Sequence, residues 1–320
     1  NHRLMKKNFE IEKSNYFEKP FPYIVKDNFL DVSLLNEINK NWPDDNHFFD
    51  EITGIRMLDL EYSVKKNKII SIIKHLLKVD FQKLKDRKFL FGKTKSFWLN
   101  FLDNEIPKIN EAIYYCFQES LSKKFGINSV PEIAMINLMQ SNKSFNGHGI
   151  HNHHYHSPNW TFTMLLYIDD YEGGNAQGTD IYGISEKQNI SNVEELTNFA
   201  LKNQIITNPE GLLSKKKTIE FRKNRLFAFM DTPISYHGVT HNKSLNNTLN
   251  KNLNRKIIRI HAEYDKSYIK KLYGCNLKRY STLRTQFNKN NNHQRSQNLI
   301  ESENLIYKGI KKELKSIFKI

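Results

Sequence analysis

The stretch from Gly147 to Gly178 reads GHGIHNHHYHSPNWTFTMLLYIDDYEGGNAQG and sets five histidines, His148, His151, His153, His154 and His156, ahead of an apolar run. A second island, RLFAFMDTPISYHGVTH, carries His237, and a third, RKIIRIHAEY, carries Arg255 and Arg259. Neutral imidazole suits iron, zinc, copper and nickel. Residues two apart on extended backbone point to the same side. His151 with His153 is therefore one candidate ligand pair, and His154 with His156 is another. A remote histidine completes a three-donor face that leaves coordination positions open. The planar fork of an arginine grips a carboxylate through two hydrogen bonds. Together these types predict a mononuclear metal site, iron foremost, beside a bound anionic cosubstrate.

The order of further short motifs extends this reading. His154-Tyr155-His156-Ser157-Pro158 precedes the strand-like Met164-Leu165-Leu166-Tyr167-Ile168, and Gly178-Thr179-Asp180-Ile181-Tyr182 follows. Asn224-Arg225-Leu226-Phe227-Ala228-Phe229, Ser235-Tyr236-His237-Gly238-Val239 and an Arg255-led strand come next. The opening Pro20-Phe21-Pro22-Tyr23-Ile24-Val25-Lys26-Asp27-Asn28-Phe29-Leu30 fits the same series. Over about residues 18 to 264 the chain resembles the 2-oxoglutarate- and iron(II)-dependent oxygenases, in particular a prokaryotic, prolyl-hydroxylase-like branch.

The resemblance implies hydroxylation of a substrate C–H bond, with Fe(II) as metal and 2-oxoglutarate as cosubstrate. It implies His154, His156 and His237 as the catalytic metal ligands. Arg255 takes the position of the clamp on the far carboxylate, with Arg259 second, and Tyr155 and Thr179 are further expected cosubstrate contacts. One departure stands out: His156 occupies the place where the family carries a ligand aspartate. An imidazole there removes one negative charge from the metal. Asp180 or Asp170 could supply the carboxylate instead, or His151 and His153 could be the true pair. Two other functions follow from the same residues. One is a three-histidine iron dioxygenase that binds its substrate directly, without 2-oxoglutarate. The other is a jelly-roll binding protein without turnover.

The elements that must hold these residues read as an α+β fold, a double-stranded β-helix (jelly-roll) core with packed N-terminal helices and a helical C-terminal tail. Residues 1–265 form the expected oxygenase domain, helical over 1–130 and jelly-roll over 131–265, and 266–320 form a basic helical extension. Asp31 is placed to cap a helix bearing Leu35 and Ile38, and Trp42-Pro43 to end it. Pro107 opens another carrying Ile109, Ile113, Cys116, Phe117 and Leu121, closed by Gly126. Strands are predicted over Ile133–Leu138, Thr161–Ile168, Thr179–Ile184, Thr218–Phe221, Leu226–Met230 and Arg255–Tyr264. Alternation puts Arg255, Ile257, Arg259 and His261 on one face. Residues 185–217 read as an insertion between core strands, of the kind that walls a substrate site.

Composition narrows the class. Among 320 residues, 38% are hydrophobic and 12% aromatic, enough for a sizeable core. The net charge of +15 is spread over many separate lysines rather than gathered into a motif. That argues for a solvated surface and an anionic small molecule more than for nucleic acid as partner. Two cysteines, Cys116 and Cys275, imply no disulfide framework. No apolar run reaches the length of a membrane span. These features, with an Fe(II) site, predict a cytoplasmic protein acting on a small-molecule or precursor substrate.

Overall fold

The computed structural model describes residues 9–50, 55–60, 90–125, 128–141, 147–153, 160–169, 178–185, 213–232, 234–239 and 255–264. The strands in chain order are β1 (Tyr16–Phe17), β2 (Tyr23–Lys26), β3 (Phe49–Asp50), β4 (Ile55–Asp59), β5 (Glu132–Ser141) and β6 (His148–His151). There follow β7 (Trp160–Tyr167), β8 (Thr179–Ile184), β9 (Leu213–Ile219), β10 (Arg225–Met230), β11 (His237–Val239) and β12 (Lys256–Glu263). The helices are α1 (Val32–Lys40), α2 (Gly92–Asn100) and α3 (Ile106–Phe125), with a π-helical turn, Phe101–Glu105, joining the last two. Eight strands form one sheet in the order β1-β2-β10-β7-β12-β5-β4-β3, and four form another in the order β6-β11-β8-β9. The described pairings are all antiparallel.

Period two divides the large sheet. Phe162, Met164 and Leu166 on β7, Leu226 and Ala228 on β10, and Ile258 and Ile260 on β12 share one buried cluster with Ile109, Ile113 and Phe117 of α3. The intervening residues, among them Tyr167, Phe227, Phe229 and Ile257, turn the other way and pack with Ile181 and Ile219 of the small sheet. One face of the sheet is thus the floor for helices, and the other is one wall of a space between two sheets. Phe117 of α3 stacks on Phe162 at 5.1 Å between ring centroids, and the Trp98 indole donates to the Asn41 carbonyl at 2.8 Å. Cys116 packs against this cluster, and burial pushes its thiol up to about 11.

The structure departs from the sequence-based expectations in several places, among them the short strands β6 and β11, which fall outside the predicted set. The N-terminal part holds helices but also contributes β1 to β4 to the large sheet. These strands are two to five residues long, too short for alternation to declare itself. The strand predicted over 218–221 instead runs Leu213–Ile219, so the end of the expected insertion is itself sheet. A bulge causes the misreading: Ile181 pairs with Lys217 but Tyr182 with Lys215, leaving Lys216 as the extra residue. Three consecutive lysines therefore all reach the surface. Finally, α1 ends at Lys40 with Asn41 as its cap, before Trp42-Pro43, and Asp31 sits at the N-cap without a side-chain cap bond.

Two close approaches lock the frame. Asn224 adopts a left-handed φ of 60°, which asparagine tolerates better than most residues. Its side-chain amide bonds both backbone groups of Leu30, accepting from the N–H at 2.7 Å and donating to the carbonyl at 2.8 Å. Gly178, just ahead of β8, passes so close to the carbonyl of Ile219 that a Cβ would lie 2.0 Å from its oxygen. The expected C-terminal extension and residues 186–212 lie outside the described residues.

Candidate metal centre

Three imidazoles meet at the rim between the sheets. On β11, His237 pairs directly with His151 on β6. Their ring centroids are 4.3 Å apart, and His153, two residues beyond His151, comes within 4.5 Å of His237 and 5.0 Å of His151. The Nε2 atoms of His151 and His153 are 3.2 Å apart. One ligand nitrogen from each of the three lies within 4.8 Å of the others. Between the pair, Asn152 is fully buried and donates to the Thr232 carbonyl at 2.9 Å, tying this segment to the turn that leads into β11.

Every Nδ1 has a partner on the protein. His151 Nδ1 lies 2.9 Å from the Gly149 carbonyl, and His237 Nδ1 lies 3.0 Å from the Ser235 carbonyl. His153 Nδ1 lies 3.1 Å from Asp231 Oδ1 and equally 3.1 Å from Thr163 Oγ1. The carbonyl partners require N–H at Nδ1 of His151 and His237, and an ionised Asp231 requires it of His153, which leaves the lone pair on Nε2 of each ring. Orientation by an outer acceptor is what metal-binding imidazoles characteristically show. This donor set fits a divalent first-row metal.

Behind His153 runs a buried polar chain. Thr163 donates to Asp231 Oδ2 at 2.5 Å and faces His261 Nδ1 at 3.0 Å. His261 stacks on Trp160 with centroids 3.8 Å apart. Burial holds the His261 imidazole well below its usual range, with the Arg259 charge reinforcing the shift, so the ring is neutral. Burial also pushes the Asp231 carboxyl up to about 7, opposed by the Thr163 hydrogen bond and by the His237 and Arg259 charges. His153, Asp231 and His261 form a second group with metal-ligand spacing.

A cavity of about 400 Å³ opens beside the imidazoles. His151, His153 and His237 line it together with Arg255, Arg259 and Thr179, and Met57, Met139, Leu165 and Ile257 supply apolar wall. Arg255 is 4% exposed, and its guanidinium lies 5.0 Å from the centre of the Phe221 ring. Nearby, the Tyr167 hydroxyl and Thr179 Oγ1 are hydrogen-bonded at 2.7 Å. Burial raises the tyrosine's pKa, and the Arg255 charge tempers that rise. Arg259 donates to Asn137 Oδ1 at 2.8 Å and stands close enough to Asp231 to bias its ionisation. The two arginines thus occupy different stretches of one wall.

Of the residues singled out in the sequence, His237, Arg255, Arg259 and Thr179 line this cavity. His154, Tyr155 and His156 lie outside the described residues, as does Asp170. Asp180 is not part of the cluster: it accepts from Thr218 at 2.5 Å and pairs with Lys215 at 3.6 Å. Its neighbours on β8, Thr179 and Ile181, turn toward the inter-sheet space, so alternation sends Asp180 to the other side. Sequence reasoning gave no role to Asp231 or Thr163 and gave His261 only a place on one face of the last strand. A signal for Asp231 existed: an acid directly following the wholly apolar Leu226–Met230 is a buried charge in need of a partner.

No family model matches this chain, and no curated protein matches it. Among solved structures it is similar to a 2OG-Fe(II) oxygenase family oxidoreductase from Burkholderia pseudomallei, at 10% identity and a TM-score of 0.41, covering 75% of this chain and 84% of that one. It is also similar to a prolyl hydroxylase from Trichoplax adhaerens in complex with a hypoxia inducible factor peptide (12% identity, TM-score 0.39, 75% and 83% covered). A third is HygX from Streptomyces hygroscopicus with nickel and 2-oxoglutarate bound (8% identity, TM-score 0.39, 76% and 83% covered). None of these likenesses assigns a role to a residue of this chain.

Proposed function

We propose that the chain is a non-haem iron(II) oxygenase that takes 2-oxoglutarate as cosubstrate and hydroxylates an organic substrate, its two sheets being the halves of a double-stranded β-helix. The observation that carries this reading is the convergence of three oriented imidazoles on a cavity that also holds a buried arginine. His237 holds the metal, with His151 and His153 as its described partners. His154 and His156 are the competing pair. When bound, iron(II) with the oxo-acid supplies the oxidising power that activates dioxygen toward a C–H bond. The protein's own part is positional. Arg255 offers its fork to the far carboxylate, with Thr179 and Tyr167 as hydroxyl partners beside it. The methionine, leucine and isoleucine wall excludes water and accepts apolar parts of the ligands. Among the described residues the three-imidazole set includes no carboxylate, which favours one second reading, a three-histidine dioxygenase that needs no 2-oxoglutarate.

Metal titration under anaerobic conditions separates these. The unmodified chain is expected to bind one Fe(II) or Ni(II), and His237→Ala to bind none. At a metal concentration about 100 times Kd, binding should stabilise the unmodified fold by about 2.7 kcal/mol in thermal denaturation. Loss of binding in His151→Ala and His153→Ala, with retention in His154→Ala and His156→Ala, selects the described pair, and the reverse pattern selects the other. Full metal occupancy in His237→Ala sinks the assignment. Oxygen uptake that proceeds without 2-oxoglutarate replaces the first reading with the second.

A further inference from the structure

We infer that Asp231 is the displaced carboxylate of this centre: it supplies, through the Nδ1–H of His153, the negative charge that a directly ligating aspartate would supply. The inference rests on the metal-site reading above and adds a positioning residue to it. Three neutral imidazoles leave a bound dication fully charged. A carboxylate ligand would offset one unit. Among the described residues, the Nδ1 acceptors of His151 and His237 are neutral carbonyls, whereas His153 Nδ1 meets an acid, Asp231, beside the Thr163 hydroxyl. Asp231 is fully buried, and its carboxylate touches His153 through one oxygen and Thr163 through the other. A buried charge persists where it is hydrogen-bonded and paired with opposite charge. A metal on Nε2 of the same imidazole provides that pairing across the ring, and the anion in turn makes the imidazole a stronger donor.

The hydrogen-bond chain fixes where the protons sit. His261 Nε2 is buried and has no hydrogen-bond partner among the described residues. A proton there would be an orphaned buried donor, which proteins avoid more strongly than an orphaned acceptor. His261 therefore carries its proton on Nδ1 and donates to Thr163 Oγ1. The threonine hydrogen must then point to Asp231 Oδ2, the shortest contact in the chain at 2.5 Å. Asp231 thus receives hydrogen bonds from both Thr163 and His153, the pattern of an ionised carboxylate. His261 and Thr163 act as its props, and the Trp160 stack holds His261 in place.

Ni(II) titration of the metal-stripped full chain against a chromophoric chelator, at one fixed pH, tests this. Asp231→Asn keeps the size of the side chain and removes its charge. It should weaken Ni(II) about ten- to a hundredfold at unchanged stoichiometry, and Asp231→Glu should recover part of the loss. Asp180→Asn, which alters another buried acid, should bind as the unmodified chain does. In the metal-stripped protein, nitrogen-resolved NMR should show His153 protonated at Nδ1, with that proton losing its exchange protection in Asp231→Asn. If Asp231→Asn does not fold, Thr163→Val serves instead, with a several-fold loss expected from a misdirected carboxylate. Unchanged affinity in whichever of these two variants folds overturns the inference while leaving the metal site standing. An unmodified chain that binds no metal overturns both.

Discussion

The two sheets are built on different terms. The central strands of the large sheet run from six residues in β10 to ten in β5, and β10 is buried along its whole length. The small sheet carries His151 and His237 on strands of four and three residues, β6 and β11, whose register shifts between His237 and Val239, and His153 lies just beyond β6. Strands this short do not fix their own register. The positions of His151, His153 and His237 are set instead by side bonds to the large-sheet side, Asn152 to the Thr232 carbonyl and Asp231 N–H to the Thr161 carbonyl at 2.7 Å. Most of the buried apolar side chains belong to the large sheet and its helices, and the ligands converge through a turn anchored to it.

The contrast breaks most visibly under core truncation. Phe162→Ala removes a ring packed between β7 and α3, and should cost about 3–5 kcal/mol in denaturant unfolding. His237→Ala should cost the metal-stripped fold about 1 kcal/mol, although it abolishes metal binding. Equal losses for the two variants would refute the division of labour. Arg255→Ala should come next. Losing one partner of a buried charge pair costs roughly 3–5 kcal/mol, so 2-oxoglutarate should bind at least about a hundredfold more weakly by anaerobic calorimetry. Lysine there should rescue part of the loss, and Arg259→Ala should do less. A larger effect at Arg259 would move the clamp four residues along β12. Asn152→Ala sharpens the comparison further. It should cost the fold about 1–3 kcal/mol through an unsatisfied carbonyl and also lower metal affinity, because the ligand segment loses its tie.

The smallest effect concerns the large sheet alone. Asp27 forms a two-oxygen pair with Arg225, through Nε at 2.5 Å and Nη2 at 2.9 Å, and this hydrogen bond holds the carboxyl below its usual range. A depressed folded-state value means a contribution present above the unfolded value of 3.8 and lost as pH falls through the lower folded one. Asp27→Asn should lower the neutral plateau slightly and flatten the acid limb of a stability–pH curve, the two curves meeting at low pH where both side chains are uncharged. An unchanged acid limb would show that the pair contributes nothing.

Much of this was legible in the residues, and unevenly so. Alternation in Thr161–Ile168 and Arg255–His261 marks the strands that flank the cavity, because those strands bury two chemically different faces. His151, His153 and His237 stood among the candidates on spacing alone. The preference between the two His-x-His pairs was not legible, because two overlapping pairs satisfy the same period. The N-terminal strands were missed for their shortness, and β9 because its bulge breaks the alternation that would have announced it. Asp231 was missed because its partners, Thr163 and His153, lie 68 and 78 residues away in sequence.

The bulge in β9 also bears on how copies of this protein meet each other. β9 is the outer strand of the small sheet among the described residues, and an outer strand is where a second sheet can attach. Lys215, Lys216 and Lys217 sit there in unbroken succession. Lys217 lies over the Phe17 ring at 4.6 Å, and Lys215 leans on Asp180. A neighbouring copy approaching edge to edge meets a row of like charges on a kinked strand and cannot zip. The same three residues that hid the strand from pattern reading put a charged guard on this edge against strand pairing. Neutralising all three by acetylation should raise self-association at this edge in analytical ultracentrifugation.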